Sequence, residues 1–321
     1  MDDFPYRTAY MPPFADMFHR LQDIAINPPA KWREPCKNFP LGIVRRYYPN
    51  DYEQTDSLTD HFVEPARIRC REIWNKSPYD TWQDMKAKTV PAFFEKMSPH
   101  ERREAVYAES HGCNLFNVAL GTYSINRVVD RRAAVNGLAV LDCTAGWGDR
   151  LVAAYAMPSV CFYRGWDTNP DLQPVYRALS AACVDAGAHA LDWKIECVPF
   201  ELQRDRFLSR SSEYHERFDV AMVAPPFYDQ ELYTGENTST NLYRTESAWY
   251  TWFYRPLLKQ AYCALKPGGV VIAYIKKDRM VREAQHELQR MGMKYEGVLG
   301  FRQTHSGEQR PRTRNTFIWR K

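Results

Sequence analysis

Three short runs hold residues of the right type and spacing for ligand chemistry. The first, Val140-Leu141-Asp142-Cys143-Thr144-Ala145-Gly146-Trp147-Gly148-Asp149-Arg150-Leu151, has the make-up of a buried strand, a small-residue turn and a helix start. Gly146 and Gly148 would let the backbone approach a ligand closely. Asp142 puts a carboxylate at the strand end, where it could accept a hydrogen bond or face the positive end of a bound amino acid. In the second run, Gly165-Trp166-Asp167-Thr168-Asn169-Pro170, Asp167 is an acid of the kind that suits a ribose diol. The third, Phe218 to Tyr228, ends an apolar stretch in Ala224-Pro225-Pro226-Phe227-Tyr228. Its prolines fix a rigid exit and remove backbone donors, and two flat rings follow. A basic segment, Phe301 to Arg314, adds Arg302, Arg310, Arg312 and Arg314 and His305 against one glutamate. Arginines there could contact phosphates with salt-dependent, sequence-independent affinity, or simply solvate a loop.

These residues need elements that bring them together. From about Ser98, helical stretches near Pro99–Ser110 and Asn114–Asp130 lead into alternating apolar strands and amphipathic helices, the pattern of a doubly wound α/β domain. Strands are expected at Ala139–Cys143, Cys161–Asp167, Trp193–Val198, Asp219–Val223, Val270–Ile275, Tyr295–Phe301 and Thr316–Arg320. Helices are expected to start near Asp149, Asp171, Ser247 and Met280. The result is a seven-stranded, mostly parallel sheet whose last strand runs antiparallel, because a hairpin and not a helix precedes it. Residues 1–98 read as an irregular N-terminal extension with few helical candidates, among them Phe14–Ile26, and as a candidate target-recognition or partner-binding region. Within it, Arg67, Arg69 and Arg71 alternate; they would line one face of a strand as a phosphate-contacting edge, or form a solvated or salt-bridged face.

Composition narrows the classes. With 321 residues the chain can bury a core without staples, and 45% hydrophobic against 26% charged residues argues against long disorder. A net charge of +4 is compatible with a polyanion but too small to demand one. Nine Trp, 20 Tyr and 16 Phe supply either stacking surfaces for bases or an aromatic core. The eight cysteines are scattered singly and the eight histidines lack ligand spacing, so no metal and no disulfide framework is expected. No run of roughly 18–20 apolar residues occurs, and Met1-Asp2-Asp3 is unlike a secretory signal, so an intracellular location, cytoplasmic or nuclear, with no membrane partner is expected.

The turn departs from the dinucleotide pattern G-x-G-x-x-G, since Leu151 stands at the third glycine, which disfavours a nicotinamide-dependent dehydrogenase. The D-x-x-x-G-x-G run from Asp142 to Gly148, with Asp167 after it, instead resembles the class I, Rossmann-like methyltransferases that use S-adenosylmethionine. That resemblance implies cofactor contacts at Asp142, Ala145, Gly146, Gly148 and Asp167, with Trp147, Asp149 and Arg150 lining the turn and Thr168 and Asn169 beside the acid. Pro199-Phe200-Glu201 falls where such proteins place residues against the adenine; Phe200 could stack there or belong to the core. Leu265-Lys266-Pro267-Gly268-Gly269 matches the turn before the fifth strand, where glycines close the preceding helix.

Ala224-Pro225-Pro226-Phe227 is similar to the Asp/Asn/Ser-Pro-Pro-Tyr/Phe loop of methyltransferases acting on adenine N6 or cytosine N4. In those, acceptors hold the exocyclic amine while the aromatic ring stacks on the base. Ala224 cannot accept that hydrogen bond, so the Pro225 carbonyl, cofactor positioning and a neighbour such as Asp229 or Glu231 would have to act. Tyr228 to Tyr233 could form a lid over the target or an ordinary surface loop. The turn, the loop and the ending Arg314 to Lys321 are similar to methyltransferases of phages and large DNA viruses. The resemblance runs from about Leu115 to the C-terminus and implies that 99–321 is an S-adenosylmethionine-binding methyltransferase domain with DNA or RNA as partner. Two alternatives stand beside it: an inactive methyltransferase-fold protein that binds nucleic acid or a partner subunit, and a small-molecule N-methyltransferase.

Overall fold

Leu138-Ala139-Val140-Leu141-Asp142 is apolar up to its last residue and buried throughout, as a central parallel strand covered on both faces requires. The computed structural model describes residues 3–34, 37–47, 55, 57–88, 96–129, 137–228, 230–304 and 312–321. Its main sheet runs, in spatial order, β1 (Ile43–Tyr47), β9 (Lys294–Thr304), β10 (Arg312–Arg320), β8 (Leu265–Tyr274), β6 (Phe218–Val223), β3 (Leu138–Asp142), β4 (Val160–Asp167) and β5 (Asp192–Cys197). A separate short ladder pairs β2 (Arg71–Glu72) with β7 (Glu231–Leu232) antiparallel. Only β10 runs against its neighbours in the main sheet; the other pairings are parallel. From β3 the chain builds outward through β4 and β5, then returns to lay β6 and β8 on the opposite side. That reversal makes the carboxyl ends of β3 and β6 the crevice of a Rossmann-like sheet.

The sheet has eight strands, where seven are expected from sequence. The additional one, β1, comes from the first hundred residues and pairs with β9 from Ile43 opposite Gly300 to Tyr47 opposite Thr304. Only Ile43 and Val44 in it are apolar, too few to set a period-two pattern, and an edge strand has one neighbour to satisfy. The glycines at 268 and 269 also differ from expectation. Helix α8 (Arg255–Ala264) already ends before them, and they lie inside β8.

Side chains of successive strand residues point to opposite faces, which divides the interior in two. Val140, Val220, Ile272 and Ile318 enter one core, packed under helices α1 (Phe14–Ile26), α5 (Val118–Val128), α6 (Asp149–Tyr155) and α7 (Leu172–Asp185). Their neighbours Leu141, Ala221, Val271 and Trp319 enter the other, under α8, α9 (Asp278–Arg290) and the π-helical turn Trp249–Tyr254. The first core also takes in Met17, Phe18, Trp32, Val44, Leu58 and Val63, so residues before 99 share it with the sheet. Helix α2 (Asp60–Arg67) adds Val63 to this core, whereas α3 (Pro78–Lys88) and α4 (Pro99–Glu109) put Trp82 and Val106 into a smaller cluster with Phe4 and Ile68. Ser98 and Glu101 close the start of α4 as a reciprocal capping box. Arg67, the first of the alternating arginines, is buried on α2, with Nη2 2.7 Å from Asp60. Among the described residues, no helix is long and apolar enough to cross a membrane.

Candidate functional site

Beyond β3 the chain bends through Cys143 to Gly148 into α6, and one ion pair closes the bend. Asp142 is 0% exposed and accepts from Arg150 Nε at 2.7 Å, the Tyr163 hydroxyl at 2.6 Å and the Thr144 N–H at 3.2 Å. The Arg150 guanidinium also donates to the Thr144 carbonyl. Asp142, expected at a ligand's positive end, therefore points beneath the turn, and Ala145 and Gly148 lie behind it too. None of the three lines the large cavity at the sheet's carboxyl edge. Gly146, Trp147, Asp149 and Arg150 do.

Beside the turn, Asp167 at the end of β4 accepts the Gly146 N–H at 2.8 Å and the Asn169 N–H at 2.9 Å. Burial pushes its carboxyl up to about 6. Asp149 accepts the Thr59 hydroxyl at 2.6 Å and the Phe116 N–H at 3.1 Å, and burial pushes it up to about 7. Asp167, Thr168 and Asn169 line the cavity, as do Phe200 and Glu201 beyond β5. Phe200 belongs to the core as well, its ring 5.3 Å from Trp166 and 4.8 Å from Phe207. Glu201 accepts the Tyr243 hydroxyl at 3.0 Å, and burial raises its carboxyl.

The opposite wall is the loop Ala224-Pro225-Pro226-Phe227, which leaves β6, together with Glu231 and Tyr233 around β7. Glu231 is 7% exposed and accepts the Tyr233 hydroxyl at 2.7 Å; burial pushes its carboxyl up. The Tyr233 ring lies 5.9 Å from Trp147, so the two walls meet. Tyr228 is not on the cavity; its hydroxyl donates to the Arg244 carbonyl at 2.6 Å. Of the arginines of the C-terminal hairpin, Arg314 on β10 lines the cavity and donates to the Tyr274 hydroxyl at 3.0 Å. Arg302 on β9 does not line it. Arg310, Asp229 and the side chain of Arg312 lie outside the described residues.

No protein-family profile and no curated protein matches the sequence. Among solved structures, the chain is similar to precorrin-6Y C5,15-methyltransferase of Geobacter metallireducens GS-15, at 13% identity over 60% of this chain and 87% of that one, with a TM-score of 0.37. A methyltransferase of Pyrococcus furiosus matches at 15% identity over 60% of this chain and 81% of its own, with a TM-score of 0.38. A candidate RNA methyltransferase of Pyrococcus horikoshii matches at 13% identity over 76% of this chain and 98% of its own, also with a TM-score of 0.38. Likeness of this degree does not decide chemistry, which is read from the cavity's own residues.

Several of those residues escape a reading of the sequence. Asn114, Leu115 and Phe116, expected as the start of a helix, reach the cavity from the loop before α5, because Asn117 caps the helix by accepting the Leu120 N–H and it begins only at Val118. Lys276 stands just past β8, and the rule that ligands sit beyond strand carboxyl ends could have found it. Thr144 Oγ1 and Trp166 Nε1, both on this cavity, are buried without a hydrogen-bond partner among the described residues. Buried polar atoms are normally satisfied, so these two mark places where a ligand's polar atoms fit. The arrangement is an aromatic-walled pocket with carboxyls on two sides and open polar positions at its turn.

Proposed function

We propose that the protein is an S-adenosylmethionine-dependent methyltransferase acting on an exocyclic amine of a nucleic-acid base. One observation carries the reading: the turn at Gly146, the acid Asp167 and the loop Ala224–Phe227 open into a single cavity, so a cofactor half and a target half face each other. The unpartnered Thr144 Oγ1 and Trp166 Nε1 and the half-buried Asp167 fit a polar adenosyl ligand on the first side. Bound there, the cofactor would supply an electrophilic methyl group on a sulfonium.

The chain's own residues then have separable tasks. Asp167 is held in place by two backbone N–H groups and offers its remaining lone pairs to ribose hydroxyls. Phe227 and Tyr233 bound the target side and exclude water from it. The Ala224 side chain has no acceptor to offer, and Glu231 supplies one on the same wall. Glu231 holds the amine N–H, and its raised carboxyl suits it to receive the proton that the methylated nitrogen sheds. Arg314 at this cavity favours a polyanionic substrate.

Calorimetric titration with S-adenosylmethionine, followed by transfer of labelled methyl groups to DNA, RNA and free nucleosides, tests the proposal. Cofactor binding and label on a polynucleotide are expected, with the rate reduced on the order of 10²–10³ in Glu231→Gln, as for loss of one positioned polar contact. A folded sample without affinity for the cofactor or its demethylated product would overturn it. Ala224 favours one second reading, a binding protein without turnover. Cofactor affinity without transfer, restored by Ala224→Asn, is the outcome that selects it.

A further inference from the structure

Trp74 is 90% exposed, although tryptophans are on average highly buried. Among the described residues its indole has no hydrogen bond and no ring contact. A single exposed apolar side chain is ordinary by itself. What sets this one apart is the turn that carries it. Arg71 on β2 donates from Nη1 to the carbonyls of Ile73 at 3.0 Å and Asn75 at 3.1 Å, one on each side of Trp74. The Asn75 N–H closes the turn onto the Glu72 carbonyl at 3.1 Å. Arg71, which from sequence alternates with Arg67 and Arg69 as a phosphate-contacting or solvated face, thus braces the backbone that presents an indole.

The turn is tied to the target wall of the cavity. In the short ladder Glu72 stands opposite Glu231, and the Ile73 N–H donates to the Gln230 carbonyl at 3.0 Å. Gln230 and Glu231 line the cavity, whereas Trp74 does not; it follows one residue after the bond that joins its turn to that wall. A second anchor is the Glu72 N–H, which donates to the His111 carbonyl at 2.9 Å. Among the described residues 57–88, Trp74 is the one large hydrophobic side chain that is exposed, and Asn75 and Lys76 after it are polar. The anchor of a protein interface is normally surrounded by further contacts that exclude water. One flat ring among polar neighbours instead suits one nucleobase, since every base has a π-face.

We propose that Trp74 stacks on an unpaired base flanking the target base, while the target itself enters the cavity beside Glu231. The inference rests on the methyltransferase reading for its role and deepens it. It names the substrate as a single strand of nucleic acid, because a free nucleotide held in the cavity has no second base to lay on an indole outside it. The braced turn has little freedom left to lose when the base arrives, so the stack forms at low entropic cost.

The test is binding to the full-length chain of fluorescein-labelled single-stranded DNA and RNA 12-mers, followed by anisotropy, and of AMP, CMP and S-adenosylmethionine, followed by calorimetry. Trp74→Ala is expected to weaken the better-bound 12-mer about tenfold, the effect of losing one stacked base. Its affinity for cofactor and mononucleotides and its midpoint in urea are expected to match the parent chain. So is its slope of log affinity against log salt, because stacking releases no counterions. Trp74→Phe, which keeps a ring, is expected to recover most of the loss. Trp252→Ala, which removes another exposed indole, is expected to lose nothing. Quenching of indole fluorescence by an unlabelled 12-mer, reduced in Trp74→Ala, reports the contact directly.

A parent chain that binds neither 12-mer, a 12-mer affinity unchanged in Trp74→Ala, or a loss shared equally by AMP and CMP overturns the proposal. Self-association of the parent chain that Trp74→Ala abolishes, with 12-mer affinity unchanged, assigns the indole to a protein interface and overturns it too. The cofactor titration reports separately on the methyltransferase reading. Cofactor binding with no effect of Trp74→Ala on the 12-mers leaves that reading standing without the stack, and a Trp74-dependent 12-mer affinity in a chain that ignores the cofactor does the reverse.

Discussion

Asp142 shows how a residue's role depends on which neighbour reaches it. From sequence it is a carboxylate at a strand end and a cofactor contact by resemblance; in the fold Arg150, the second residue of α6, has taken it, and Tyr163 from β4 completes its shell. Type and position along the chain were legible, whereas the direction of the side chain was set by how α6 docks. Removing one partner of a buried ion pair leaves the other uncompensated, so Asp142→Ala is expected to lower stability by about 3–5 kcal/mol, read from urea denaturation. The two raised acids make a second prediction at this scale. Asp167 and Asp149 hold their protons up to about 6 and about 7 in the folded chain, while the unfolded chain releases them near 3.8. Between those limits the folded state binds more protons, so these groups make stability fall as pH rises from about 4 to about 7, with no further loss above. The midpoint in urea, followed across that range, should fall less steeply in Asp167→Asn than in the parent chain.

At the scale of elements, the central parallel strands were legible because both of their faces are covered, so nearly every residue is apolar. β3, β6 and the second half of β8 are of this kind. β1 was not legible, since an edge strand can be specified by two apolar residues and the groove that receives them. The strand–helix bend at Gly148 is sharper in its demands. Its φ is 84°, and an added Cβ would lie 2.7 Å from Leu179 Cδ1 on α7. Gly187, just after α7, has φ of 79° but nothing within 4 Å of such a Cβ. Gly187→Ala is therefore expected to cost only the backbone strain of about 1–2 kcal/mol. Gly148→Ala adds overpacking of about 1–3 kcal/mol and shifts α6 against α7. Thermal unfolding of the two variants side by side measures the difference.

For the whole molecule, the question is what the first hundred residues do for the rest. α1, Trp32 and β1 cover one face and one edge of the sheet, and their side chains share a core with Val140 and Ile272. A chain beginning at residue 99 would expose that apolar face and the unpaired edge of β9. It is expected to lose cooperative unfolding and to aggregate, measured by calorimetry and light scattering. Composition could not announce this, because the segment's apolar residues are spaced irregularly among prolines and charges.

Beside the β2–β7 pairing, the hydrogen bond from Thr59 to Asp149 Oδ1 is a second link between that segment and the cavity. If α2 peels away, a carboxyl at the rim of the pocket loses its donor, so local opening of the N-terminal part and loss of ligand grip are one event seen from two ends. A molecule seated against α6 thereby slows the breathing of a stretch it never touches.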